Sequence, residues 1–337
     1  MAYTTIDDPE AYFQAVTFSA NNTAIGSGGL SVTLPGDTAM QPDLVWAKAR
    51  NATEGHALAD SVRGVTKNLL ANTNALEETL SEGLTAFNSD GFTVGNNGHW
   101  NASGSNMVAW CWKESATSGF DIVTATGTGS AKTISHSLSA VPHVMISKEK
   151  SGSVNDWTVY HHKNTSAPET DSLILNENNA TADQDTHWND TAPTSSVFTV
   201  GSGSVVNRSS STYVYYLFSE KQGYSKFGSY SGNGNANGPF VYTGFKPAFV
   251  LIKSTASGVW RVWDNKRDAL NPNTANFQPN AADAEYDHSS VAIDFLSSGF
   301  KPRSTDSSFN GSGTSNVYMA FAEAPFVNSN GVPCNAR

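Results

Sequence analysis

Between Asp183 and Asp190 the sequence DQDTHWND brings Asp183, Asp185, His187 and Asp190 into eight residues. Such a density of carboxylate and imidazole groups raises a metal site, calcium above all. An EF-hand loop, however, needs a glycine at its sharp turn and a closing glutamate, and neither is present. The segment reads as a solvated polar loop. DAEYDH, Asp283 to His288, reads the same way, and no metal or other cofactor is expected. Cys111 stands between Trp110 and Trp112. A reactive thiol needs a nearby positive charge or a helix N-terminus, and only Lys113 offers one. A period of two places Val108, Trp110 and Trp112 on one face, and Met107, Ala109, Cys111 and Lys113 on the other. Cys111 is then a small packing residue. The adjacent carboxylates Asp7–Asp8 and Glu77–Glu78 would diverge on a strand or a helix. His161 and His162 fall where the other two copies of a repeat, set out below, carry Asp60–Ser61 and Asp264–Asn265. A catalytic pair would not be expected to vary so freely. No G-x-S-x-G elbow, P-loop or H-E-x-x-H occurs, so no catalytic residue is assigned and an enzyme is the minority reading.

The elements that would position these residues emerge from self-similarity. WNASGSNMVAWCWKE at Trp100–Glu114 lines up with VNRSSSTYVYYLFSE at Val206–Glu220 and FNGSGTSNVYMAFAE at Phe309–Glu323. The shared Asn residues are Asn101, Asn207 and Asn310, each expected to turn the chain into the aromatic strand that follows. Upstream, PDLVWAK, PHVMISK and PAFVLIK end at Lys48, Lys148 and Lys253. These lysines are expected at strand ends, with stems over apolar neighbours and charges in water. HALADSVR, WTVYHHKN and WRVWDNKR follow, each a strand with a polar exit.

Each copy holds six or seven short strand-like runs separated by Gly, Asn, Ser and Pro, the pattern of an antiparallel sandwich. The expected fold is all-β: three tandem antiparallel β-sandwich units of about 100 residues each. Their boundaries read as 1–117 with a variable insert at 64–84, 118–222 and 223–325, followed by a C-terminal tail at 326–337. Thr66–Leu84 is leucine-bearing and reads as a short helix or an extended loop. The corresponding stretches, Asn164–Thr194 and Ala269–Ser290, differ from it and from one another, which marks them as loops where specificity tends to sit. Binding candidates there and on the neighbouring strand are Trp188, His187, Asp185, Trp263 and Tyr286. Trp260 and Trp263 point to opposite faces of one strand, as do Trp157 and Tyr160, so one of each pair is free for an inter-unit contact, a partner or a glycan.

Composition narrows the function. Of 337 residues, 38% are hydrophobic and only 15% charged, which leaves a surface dominated by Ser, Thr, Asn and Gly. A net charge of −10 argues against nucleic acid, which selects basic stripes. The start, with Asp7, Asp8 and Glu10, lacks the basic and apolar regions of a secretory signal, and no apolar run suits membrane insertion. Two cysteines make no disulfide framework or zinc motif.

The phrases MAYTTIDDPEAYFQ, DSVRG, SDGFTVG, VAWCWK, WNDTAPTSSVFTVG, YSKFGSYSGNGNANGPFVYTGFKP and VYMAFAEAPFV resemble repeated-unit virion structural, or tail-fibre-like, proteins of marine bacteriophages. The resemblance spans almost the whole chain. It implies a virion surface protein assembled in the host cytoplasm, most simply tail-fibre-like or tail-associated, with host-surface glycan or protein recognition through the variable loops. Its implied partners are other tail or capsid proteins, a bacterial surface glycan and further copies of itself. The alternatives are a capsid decoration or cement protein, or a polysaccharide-degrading enzyme.

Overall fold

The computed structural model describes residues 3–334. Residues 1, 2 and 335–337, the last belonging to the expected tail, lie outside the described residues. The chain is all-β, with antiparallel sheets and only a few one-turn helices among the described residues. The helix alternative for Thr66–Leu84 is not adopted; the segment carries the strands Lys67–Leu70 and Glu78–Thr79.

Three large sheets repeat one strand order. The first runs Phe13–Ser19, Asn106–Trp112, Leu44–Ala49, Ala57–Asp60, Lys67–Leu70, Glu78–Thr79. The second runs Phe120–Thr126, Thr212–Phe218, Val144–Ser151, Thr158–His161, Asp171–Ile174, Ala182–Asp183. The third runs Ser225–Ser231, Ser315–Pro325, Phe245–Ser254, Arg261–Asp264, and a single bridge from Val262 to Phe277 extends it. Register fixes equivalent positions. Phe13 faces Trp112, Phe120 faces Phe218 and Ser225 faces Phe321, so Trp110, Tyr216 and Met319 occupy one site two residues earlier. Asp60, His161 and Asp264 occupy another, opposite Leu44, Val144 and Phe249.

The alternation read at Met107–Trp112 decides which core each side chain enters. Val108, Trp110 and Trp112 join a central cluster with Trp46, Ile146, Trp157, Tyr216, Phe249, Leu251 and Phe321, drawn from all three large sheets. Ala109 and Cys111 face the other way, toward Val32, Phe92 and Val94 of a small sheet. Similar sandwich-like layers pack behind the second and third large sheets. Each large sheet is thus apolar on both faces, as an element buried on both sides must be. The first described residues pack on the third sheet's side: Tyr3 Oη donates to the Gly244 carbonyl at 2.7 Å, and Ser329 N to Asp7 Oδ1 at 2.6 Å.

Candidate functional site

The proposed binding aromatics are mostly packing residues. Trp188 and Trp263 are fully buried, and the Trp263 indole donates to the Val291 carbonyl. Neither can meet a ligand, because the sandwich-like layers enclose them. His187 is buried as well. Its Nδ1 lies 2.9 Å from Ser172 Oγ, and burial pushes its pKa down to about 4, only partly opposed by Asp185. Asp185 is exposed, and so is Tyr286, whose ring stacks on His288 with centroids 5.7 Å apart. Among the described residues no group of three His, Cys, Asp or Glu side chains is placed to hold a metal ion. Cys111 is fully buried, and desolvation alone pushes its thiol up, which makes it inert toward thiolate chemistry.

The lysine ammonium groups are not in water, contrary to the sequence reading. Lys48, Lys148 and Lys253 are fully buried. Lys48 Nζ donates to the carbonyls of Ala49 and Ala52, and Lys253 Nζ to those of Ser254 and Ala256. Lys148 Nζ donates to Asn155 and, across to the first sheet's loop, to Asn74 at 2.8 Å. Desolvation pushes all three pKa values down to about 8. The strand turns after each lysine leave carbonyls without partners, and the ammonium supplies donors there, which is why it is drawn inward.

Asn101, Asn207 and Asn310 are also fully buried, each at the end of a one-turn helix. They clamp a distant hairpin rather than only turning the chain. Asn101 Oδ1 accepts from Asn21 N, Asn207 Oδ1 from Thr128 N, and Asn310 Oδ1 from Asn233 N. The amide nitrogens of Asn207 and Asn310 reach back to the carbonyls of Gly201 and Ser304. The hairpin approaches so closely that a Cβ on Gly127 would lie 2.1 Å from the Arg208 carbonyl oxygen. Glycine is required there by contact.

The densest polar chemistry lies where the large sheets abut. Between the first and second, Tyr216 Oη donates to Asp60 Oδ2 at 2.7 Å, and Asp60 is paired with Arg63, which also reaches Glu77 at 3.1 Å. Between the third and first, Trp110 Nε1 donates to Asp264 Oδ2 at 2.9 Å; Asp264 is paired with Arg267 at 2.5 Å, and Arg267 reaches Glu285 at 3.0 Å. Arg63 and Arg267 cap the equivalent carbonyls of Leu58 and Val262. Between the second and third, the same site holds His161 opposite Met319, with His161 Nε2 3.1 Å from the Tyr318 carbonyl. Asn164 takes the arginine's place and accepts from Thr181 Oγ1 at 2.6 Å. Desolvation pushes His161 down to about 3 and His162 to about 4, and lowers His143. Where the aromatic donor is lost, so is the acceptor carboxylate.

The segments read as variable loops provide further seam contacts. Trp157 Nε1 donates to the Leu70 and Thr73 carbonyls, and Trp260 Nε1 to that of Ile174. Thr181 N donates to the Thr255 carbonyl, Gly258 N to that of Asn178, and Arg50 pairs with Glu285 at 2.7 Å. Of the alternatives left open for Trp157 and Trp260, the structure places both against the neighbouring sheet. Sequence reasoning missed these seams. Their signal was present in DSVR and DNKR, an Asp followed three residues later by Arg straight after an apolar strand, with HHKN standing apart.

The family described as "Domain of unknown function (DUF7483)" matches residues 8–325. No curated protein and no solved structure matches the chain.

Proposed function

The chain belongs to the DUF7483 family, and we propose that it is a structural protein of a bacteriophage virion surface, tail-fibre-like or tail-associated. Its three repeats act as three sandwich units, near 1–117, 118–222 and 223–325, closed in a ring about the central core. The observation that carries this reading is the recurrence of one strand order in three abutting sheets, with the same Asp–Arg–aromatic wiring at two of their three seams, supported by the resemblance of the sequence phrases to virion proteins. A chain so interlocked is rigid without disulfides or metal, as a particle component must be. The inner flanks of the variable loops hold the ring. Their outer flanks, including Asp185 and the exposed Tyr286–Ser290 stretch, are left to meet a host-surface glycan or protein.

Imaging of purified particles with a label on this protein tests the location. A few copies at the tail are expected, and copies spread over the head would replace this reading with decoration of the capsid. Purified protein is expected to compete with particles for adsorption to host cells. Undiminished adsorption at saturating protein would sink the recognition role.

A further inference from the structure

Glu114, Glu220 and Glu323 occupy one position, two residues beyond Trp112, Phe218 and Phe321. The first two reach forward to the next repeat: Glu114 Oε1 accepts from Ile122 N at 3.2 Å, and Glu220 Oε1 from Phe227 N at 2.8 Å. Glu323 has no following repeat. It turns back to Lys246, at 2.8 Å, and to Asn265 Nδ2, also at 2.8 Å. The space it leaves toward Phe13 and Ala15 is a narrow cleft lined also by Glu10 and Gln14. Through Asn265, Lys266 and Glu323 this cleft adjoins a cavity of about 410 Å³. That volume lies within the roughly 300–1,000 Å³ range of small-molecule sites.

The chemistry of the cavity wall narrows the ligand. Two cations, Lys246 and Lys266, face two carboxylates, Asp268 and Glu323, so the wall carries no net charge. Asn265, whose Oδ1 is buried without a protein partner, stands where the cavity and the cleft meet. Asn271 is tied at both ends to the Phe295 backbone, at 2.7 and 2.9 Å, and gives the wall a fixed side. A balanced set of donors and acceptors with no net field does not select an ion. It suits a ligand whose every group both donates and accepts, which is a hydroxyl.

We propose that this cavity, built by the last repeat beside the cleft it shares with the first, is a binding site for a neutral saccharide. The proposal deepens the recognition reading above by naming the place and class of the glycan. Glucose, galactose, mannose and N-acetylglucosamine, titrated singly into the full chain and followed by saturation-transfer NMR, are the probes, with inorganic phosphate as the charged counterpart. At least one sugar is expected to bind in the millimolar range. Asn265→Ser combined with Lys266→Ala is expected to weaken it tenfold or more, with unchanged near-UV circular dichroism. Ser61 already stands at the position equivalent to Asn265, so the first change is compatible with the fold. Should the double variant lose its native spectrum, Lys266→Ala alone, on an exposed side chain, is expected to weaken binding at least threefold. No sugar binding, binding untouched by these substitutions, or phosphate binding tighter than any sugar would each overturn the proposal. Sugar binding at the cavity without competition for host adsorption would remove the receptor reading and leave the site. Adsorption competition without sugar binding would do the reverse.

Discussion

Two of the three seams are closed by buried charge and the third by neutral groups. Asp60 with Arg63 and Asp264 with Arg267 are ion pairs whose side chains are at most 1% exposed, each completed by an aromatic donor from the neighbouring sheet. At the second-to-third seam His161, Asn164 and Met319 occupy the same sites, and the neighbour supplies a backbone carbonyl instead. Part of the backbone scaffold is shared: Lys266 N donates to Asp264 Oδ1 as Lys163 N donates to His161 Nδ1. One geometry therefore tolerates two electrostatic solutions. A buried carboxylate must keep its guanidinium, because isolating either charge costs far more than the pair contributes. An imidazole held neutral makes no such demand, but it becomes sensitive to acid.

The largest effect follows from removing one partner of a pair. Arg63→Met and Arg267→Met are each expected to lower the stability by about 3–5 kcal/mol, the usual cost of an uncompensated buried charge. His161→Leu loses only hydrogen bonds and is expected to cost about 1–3 kcal/mol. Urea unfolding of the three variants at pH 7 reads the difference directly. Equal losses at all three seams would mean that packing, not charge, sets their strength.

Acid should act in the opposite order. His161 and His162 have folded-state pKa values near 3 and 4, well below the ordinary 6.5, with burial the largest cause. The unfolded chain therefore binds protons that the folded chain refuses. Their contribution is intact above pH 6.5 and is lost as pH falls toward 4, at about 1.4 kcal/mol per pH unit for each group. His143, Glu220, Lys226 and Lys163 face the cluster, and Glu220 is the group there that favours protonation of His162 and His143. Glu114, at the first-to-second seam, runs the other way. Burial, and the hydrogen bond its protonated carboxyl donates to Asp121, push it up to about 7, so its contribution is full below 4.5 and is lost as pH rises through 7. Amide exchange at pH 5 is expected to open the second-to-third seam first. His161→Gln, which keeps a donor for the Tyr318 carbonyl, should reduce proton uptake on unfolding by about one between pH 4 and 6.5. An unchanged pH slope in that variant would break the comparison.

How much of this was legible depends on range. Alternation placed Trp110 and Trp112 on one face and Cys111 on the other, because burial on both sides of a strand needs only a period of two. The repeat also marked Asn101, Asn207, Asn310 and the three lysines as equivalent positions, yet it misjudged where the lysines end. The usual rule sends an ammonium to water, and only the local turn shows carbonyls waiting for it, as at Ala49 and Ala52. Trp188 and Trp263 were misread for a similar reason: an aromatic in a polar loop or on an alternating strand does not reveal what covers it. The seams join residues over 150 positions apart, such as Trp110 and Asp264, and that distance is set by how the large sheets abut rather than by any local pattern.

The lysines give the finest version of the seam comparison. Lys48 and Lys253 cap carbonyls of their own turns, whereas Lys148 donates across the first-to-second seam to Asn74. Lys→Met at each position strands carbonyls, at about 1 kcal/mol per lost bond. Of the three, Lys148→Met alone should also break a hydrogen bond across a seam, seen as faster amide exchange in the Leu70–Glu77 stretch. All three lysines have folded pKa values near 8, below the ordinary 10.5, so the unfolded chain holds their protons longer. Native stability should consequently gain from these groups as pH rises from 8 toward 10.5, and each Met variant should show a smaller gain. If Lys148→Met leaves exchange at Leu70–Glu77 unchanged, the bond to Asn74 is incidental to the seam, and the Asp60–Arg63 pair with Trp157 suffices to hold it.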